Sequence, residues 1–574
     1  MTTHTSFGSR NAWFGLFVVL ILSPLPANAQ WAFDWAVRAD RDGKSAGVYD
    51  QTPFPITETT VQYSIKSDED PSGKTFSLGL KYYVDGLSGS DANSGLSFSS
   101  PKKTIRSAIA AAGSGNKTII IRGTHDSFDG IYRETFNFNQ PVRTGADDTH
   151  RWMLVGYGQE RPILDGSDGV PEIINRNTAG EAYITIQRLK LQNTQTCGVR
   201  LGWDVTGDKR DGHFSCIDIW FYRCGTRTLD RTTDGSCYYL NVDNGWILHC
   251  TSEYTYGHAY KIGDGSSHNI TEWSVAQYIG YWGGISSQYE QSPCGFDYPV
   301  DSDERDEHDV ICRYNVAHSI HNYALQLRRV RNFDVHHNEF YDAIHHDEVD
   351  PQGHGTLGKY MIILYAGQTS GDFHSNIVRD SGNSGTISLL VAGASTNSPV
   401  IRIYNDLFYG STGAALTLGL GNSATIGVYN NSFFANNADC VVENRTGATP
   451  ELANNILYQA GTGACLINRW MPSLNHHHNL YYAPNGSAGV PLLTAELSGD
   501  PRWQAMPSGA YDPTFAYPTA GSPALDRGQA LGGLFSTDFL GAPRIGAWDF
   551  GAIERGGASL QAPAKPSNLR IKSP

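Results

Sequence analysis

RYNVAH at 313–318, HHNEFYD at 336–342, HSNIVRD at 374–380, YNDLFYG at 404–410, YNNSFFA at 429–435, ANNILYQ at 453–459 and HHNLYYA at 477–483 are one pattern repeated. Aligning their apolar residues puts Asn315, Asn338, Asn376, Asp406, Asn431, Asn455 and Asn479 at one equivalent place. The spacings are 23, 38, 30, 25, 24 and 24, a basic period near 24 with two insertions. Eight or nine residues after several of these comes a second pattern with period-2 alternation: YALQLR at 323, AALTLG at 414, CVVENR at 440 and ACLINR at 464. Alternation of this kind marks strands with one buried face. A unit this short cannot bury its apolar face alone, so successive units must stack. Stacked asparagines can hydrogen-bond along the stack, which keeps that position polar.

CYYLN at 237, AYKIG at 259 and GGISS at 283 extend the pattern upstream. The expected fold is therefore all-β, a solenoid of short parallel strands from about 105 to 555. On this alignment Tyr238, Tyr260, Ile285, Leu325 and Leu416 point inward. Tyr239, Lys261, Ser286, Gln326 and Thr417 point outward, with Lys261 and Gln326 two coils and about 10 Å apart.

The rest of the chain bounds the class. It has 574 residues, 62 of them glycine and 30 tyrosine, with only 17% charged residues, which favours a β-rich exported protein. Arg10, the apolar run Trp13–Leu22 and Ala27-Asn28-Ala29 have the layout of a secretory signal peptide cleaved after Ala29, and no other stretch reads as transmembrane. Nine cysteines lack any CxxC or zinc spacing and read as a mixture of cross-turn pairs and buried thiols. A formal charge of −14 argues against a nucleic-acid partner but permits an acidic polysaccharide at a locally basic site.

Residues 81–134, KYYVDGLSGSDANSGLSFSSPKKTIRSAIAAAGSGNKTIIIRGTHDSFDGIYRE, resemble the start of the right-handed parallel β-helix proteins of the pectate-lyase superfamily. The shared features are a YYVD strand, a Gly/Asp/Asn loop, a capping helix and a strand like GTYRE. Here the helix falls at about 102–112, with Ile105, Ala108, Ile109 and Ala112 on one face that would cover the open end of the core. SPALDRG at 522 and FLGAPRIGAWDFGAIE at 539–554 resemble the family's closing segment. The resemblance implies a single-stranded parallel β-helix. The expected divisions are a signal peptide at 1–29, an N-terminal extension at 30–80, a catalytic β-helix at 81–555 and a disordered tail at 556–574.

In this superfamily the site is a groove on one sheet, walled by inserted loops. The largest insertions here, 287–309 and 345–358, are expected to wall it. HAYKIGDG at 258–265 resembles a family strand whose lysine abstracts the proton α to a uronate carboxyl. That implies Lys261 as the base, which needs a pKa lowered by nearby cations or desolvation, and a cation to neutralise the carboxylate. Arg200 and Arg328, the latter in the basic patch RRVR at 328–331, are candidates for the first role and Ca²⁺ for the second, while the leading reading has Arg328 itself neutralise the carboxylate; Arg200, Tyr239, Gln326 and Trp282 are expected substrate contacts. His345, His346, Asp347 and Glu348 stand on the groove wall as candidate acids, bases or substrate contacts. Calcium is the cofactor that the resemblance suggests, but its closely spaced acidic motif is not evident. Asp243 and Asp264 are the nearest substitutes.

The leading expectation is a secreted, monomeric polysaccharide lyase that cleaves a uronate-containing glycan by β-elimination. Two alternatives remain open: a glycoside hydrolase using paired carboxylates among Asp264, Asp347, Glu348 and Asp350, and a non-catalytic glycan-binding protein. No membrane partner is expected.

Overall fold

The computed structural model describes residues 60–63, 74–139, 143–158, 160–177, 180–202, 211–225, 235–263, 265–280, 293–299, 307–343, 360–365, 369–382, 385–392, 400–419, 425–437, 439–445, 450–469, 474–507 and 515–556. Their strands fall into three long parallel sheets of 15, 14 and 12 strands, with neighbours in each sheet belonging to successive turns of the chain. One turn is typical: Trp246–Leu248 lies in the 15-stranded opening sheet, Thr251–Glu253 in the 14-stranded third sheet and His258–Gly263 in the 12-stranded groove sheet, and Ile270–Glu272 re-enters the opening sheet. Three faces, one strand per face per turn, make the solenoid of parallel strands that the repeat predicts, a right-handed parallel β-helix as the resemblance implies.

The repeated asparagines are the corner between the opening and third sheets. Each is preceded by a residue in the left-handed region, such as Tyr314, His337, Asn405 or Asn454, with φ between 55° and 60°. That conformation turns the chain within two residues. The ladder expected from the sequence is present. Asn338 Oδ1 accepts from the Asn315 amide at 2.9 Å, Asn376 from Asn338 at 3.0 Å, Asp406 from Asn376 at 2.7 Å and Asn431 from Asp406 at 2.9 Å. Asn455 and Asn479 continue it at 3.0 and 2.9 Å. Upstream, Ser274 replaces asparagine, and its Oγ accepts from the Cys250 amide. These buried amides would otherwise be orphaned, so each side chain satisfies the coil before it.

The core is a continuous column of Ile, Leu, Val and Phe from all three sheets. Helix α1, Ile105–Ala112, closes its N-terminal end with Ile105, Ala108 and Ala112 buried, and Thr104 caps it by accepting from the Ser107 amide. The last strand of the sheets is Leu497–Ser498, short of the expected limit near 555. Residues 499–507 and 515–556 instead run back over the outside of the third sheet. There Trp503, Phe515, Phe539 and Phe550 cover Leu407, Tyr409, Ile456 and Leu480. At the other end, the Lys74–Ser77 strand pairs antiparallel with Thr60–Tyr63, and Phe76 packs on Trp246, Met153 and Ile217 of the opening sheet.

All nine cysteines are buried free thiols, so the expected cross-turn pairs do not form. Their side chains fill core volume as small apolar groups. The first 59 residues, which include the expected signal peptide, and the tail from 557 onward lie outside the described residues. Among the described residues no helix is long and apolar enough to cross a membrane.

Candidate active site on the groove sheet

Five adjacent strands of the groove sheet frame the site: β1 (Cys197–Leu201), β2 (Gly235–Leu240), β3 (His258–Gly263), β4 (Cys294–Pro299) and β5 (Tyr323–Arg328). Their register sets Arg200, Tyr238, Lys261, Asp297 and Gln326 in one row along the helix axis. Lys261 and Gln326 are thus two coils apart, as the repeat predicts. Two neighbours in the row differ from expectation. Asp297 takes the place given to Ser286, because the intervening strand is CGFDYP at 294–299 and not GGISS. The latter, with most of the insertion 287–309, lies outside the described residues.

The second correction concerns Tyr239. It pairs with Ile262 and points into the core, fully buried, with its hydroxyl on Cys216 Sγ at 3.2 Å. Tyr238 is the outward residue. Cys237 is opposite Tyr260, a spacing of 23 and not 22, and a one-residue slip exchanges the two faces of a strand. Tyr239 is therefore not a groove contact.

Side chains on this row are packed closely. Lys261 Nζ lies 5.3 Å from the Tyr238 ring centroid, and the Arg200 guanidinium 5.8 Å from the same ring. Arg200 also pairs with Glu172 at 3.0 Å, which holds it to the neighbouring coil. Lys261 is only 6% exposed and Asp297 3%. Gly263 permits the tight approach of β4 beside the lysine, since a Cβ there would meet the Pro299 carbonyl oxygen at 2.5 Å. Beneath, Tyr260 stacks on Phe296 at 5.3 Å and fixes both strands to the core.

Three groups that the sequence reading did not single out complete the site. His258 Nδ1 approaches Asp297 Oδ2 at 3.2 Å. Burial, then the positive charges of Lys261 and Arg328, push the imidazole well below its ordinary 6.5, so it is neutral at physiological pH. Tyr323, at the start of β5, is pushed up to about 12, first by burial and then by negative charge on its neighbours, Asp297 among them, against Arg328. It therefore keeps its proton. Asp297 was hidden because its strand lies inside an insertion that breaks the 24-residue period. His258 and Tyr323 open two of the quoted motifs, and only the register shows that they lie beside β4, His258 against Asp297 and Tyr323 opposite Cys294.

Arg328, paired with Pro299 and Tyr365, is half-buried on the same face as Gln326. Trp282, Asp264, His345, His346, Asp347 and Glu348 lie outside the described residues. Asp243 belongs elsewhere, at the corner leading into the opening sheet, where it accepts from the Ser267 hydroxyl. Beside Lys261, His258, Cys294 and Asp297 bring an imidazole, a thiol and one carboxylate within 4.8 Å of one another. Calcium takes an oxygen-rich set, so these residues do not fit it.

No family model matches the chain, and no curated protein matches it. Solved structures with similar folds include a pectate lyase, Pel9A, 13% identical over 84% of this chain and 98% of that one, TM-score 0.41. Another is a periplasmic alginate epimerase, AlgG, 8% identical over 63% and 79%, TM-score 0.39. A third is the GH136 lacto-N-biosidase from Eubacterium ramulus, 10% identical over 74% and 67%, TM-score 0.38. The architecture of stacked coils stands on the sheet register itself.

Proposed function

We propose that the chain is a secreted polysaccharide lyase that cleaves a uronate-containing glycan by β-elimination, with Lys261 as the base. The observation that carries this reading is the buried Lys261 opposite Asp297 in the outward row, with Arg328 two coils on and a protonated Tyr323 within electrostatic range of Asp297 and Arg328. Lys261 takes the proton from the carbon α to the uronate carboxyl. The C–H electrons form the carbon–carbon double bond as the glycosidic C–O bond breaks. Tyr323 gives its proton to the leaving oxygen, and Arg328 pairs with the carboxylate on which charge accumulates. Asp297 and neutral His258 hold the lysine strand and its neighbour in register. No step is assigned to calcium.

The carboxylates named for hydrolysis, Asp264, Asp347, Glu348 and Asp350, lie outside the described residues. Along this row, among the described residues, the carboxylates are Asp297 and Glu443, five coils apart and hence separated by about 24 Å. Glycosidases need their pair within about 5–9.5 Å.

The test is incubation of purified protein with pectate, alginate, glycosaminoglycans and neutral glucans and xylans. Both new reducing ends and ultraviolet absorbance of an unsaturated product are read. A lyase gives both on a uronate polymer, and Lys261→Ala lowers its kcat by about 10²–10⁴-fold. Reducing ends without absorbance would overturn the lyase reading. Full activity in Lys261→Ala would overturn the base assignment alone.

A further inference from the structure

A second cluster lies at the corner through which β3 and β4 leave the groove sheet. The chain turns there through a column of left-handed residues on successive coils: Asn244, His268, Asp309 and Asn332, with φ of 54°, 54°, 57° and 54°. Their amides tie the coils together, Asn244 to the Ser267 carbonyl at 3.0 Å, His268 to His308 at 3.1 Å and Asp309 to Arg331 at 2.9 Å. On two adjacent coils this column carries a histidine and an aspartate where the flanking coils carry asparagine. His308, just before Asp309, adds a second imidazole.

Asp309 Oδ2 faces both rings, 3.2 Å from His268 Nε2 and 2.7 Å from His308 Nδ1. Its other oxygen accepts from Asn332 Nδ2 at 3.2 Å, so a third coil orients the carboxylate. The two rings stand nearly perpendicular with centroids 5.2 Å apart. All three ligand atoms lie within 4.8 Å of one another, and the side chains are about a third to a half exposed. From this geometry we infer that His268, His308 and Asp309 form a binding site for a borderline divalent cation such as Zn²⁺, which cross-links two coils at the edge of the groove sheet.

Ligands of a tetrahedral zinc with bonds of about 2.0 Å sit about 3.3 Å apart. The His268–Asp309 separation already matches, and the His308–Asp309 pair opens by about half an ångström, a small movement for partly exposed side chains. Two imidazoles and one carboxylate select zinc-like ions over Ca²⁺ or Mg²⁺, which favour oxygen sets. Asn332 supplies the outer hydrogen bond that ligating carboxylates require. A water supplies the fourth ligand, as at open zinc sites with three protein ligands. This site is independent of the lyase reading, because none of its ligands lies on the Lys261 row.

The experiment is titration of the full-length, tag-free protein, stripped with chelator, with Zn²⁺ by calorimetry and with Co²⁺ by visible absorption. One equivalent of Zn²⁺ at micromolar affinity or better is expected, unaffected by millimolar Ca²⁺, together with the intense bands of tetrahedral Co²⁺. Asp309→Asn, which retains the contact to Asn332, should weaken binding at least tenfold. His268→Ala/His308→Ala should abolish it while the circular dichroism spectrum stays as in the wild type. No binding by the wild type, or an equivalent that persists in the double variant, would overturn the proposal.

Discussion

Asp406 stands where its neighbours in the corner ladder are asparagines, and one atom separates the two chemistries. Asn376 and Asn431 each donate Nδ2 to a carbonyl of the preceding coil, Val335 at 3.0 Å and Ile403 at 2.9 Å. Asp406 accepts through Oδ1 as they do, but its Oδ2 is buried with no partner. Burial pushes its carboxyl well above the ordinary 3.8, against the hydrogen bonds from Asn376, so the folded protein keeps a proton that the unfolded chain gives up. Stability therefore falls as pH rises from about 3.8 toward that raised value and is flat below it. Asp406→Asn supplies a permanent donor. It should raise stability at neutral pH and above by about 1–3 kcal/mol and change little below pH 4, as read from urea melts across pH. The ladder position was legible in the sequence because polar residues recur where apolar ones flank them. The facing of Tyr238 and Tyr239 was not, because two adjacent tyrosines give the alternation no phase and a 22- or 23-residue spacing decides it.

At the level of strands, regular coils were readable and interrupted ones were not. From Asp406 onward the spacing holds at 24 or 25, and the strands fall where the alternation puts them. Strand β4 is separated from β3 by 36 residues and from β5 by 29, so its CGFDYP passed as loop and Asp297 with it. The physical reason is that register is fixed by pairing with both neighbours, which a single sequence does not display. The ladder that enforces this register is itself testable. Asn455 is wholly buried, accepts from the Asn431 amide at 3.0 Å and donates to the Val428 carbonyl at 2.8 Å. Asn455→Ala orphans both groups within the core, which should cost about 2–4 kcal/mol, whereas Ser gives part of this back. Thermal melts of the two variants measure the difference.

On the scale of the whole molecule, a stack of coils has two open ends and three outer faces to manage. The N-terminal end is closed by α1, and this was legible from the spacing of Ile105, Ala108 and Ala112. At the far end Glu496 terminates the corner ladder, accepting from Asn479 Nδ2, the Tyr481 hydroxyl and the Leu493 amide. The return of residues 499–507 and 515–556 over the third sheet could not be read, since that segment has neither repeat nor alternation. Its lock is one buried arginine among three carboxylates. Arg544 donates to Glu554 at 3.1 Å and to Asn405 Oδ1 at 2.8 Å, while Asp538 and Asp549 accept from nearby backbone amides. One positive charge cannot offset three negative ones in a buried setting, so a proton must stay. Burial pushes Glu554 up to about 7, with Arg544 opposing and Asp549 adding to the rise. The folded protein thus holds one more proton than the unfolded chain between the ordinary 4.5 and about 7, and stability falls as pH rises through that window. Glu554→Gln mimics the protonated state. It should flatten the decline and add about 1–3 kcal/mol above neutrality, with slower proteolytic release of the C-terminal segment. An unchanged pH profile in this variant would place the proton on Asp538 or Asp549, whose carboxyls burial also raises.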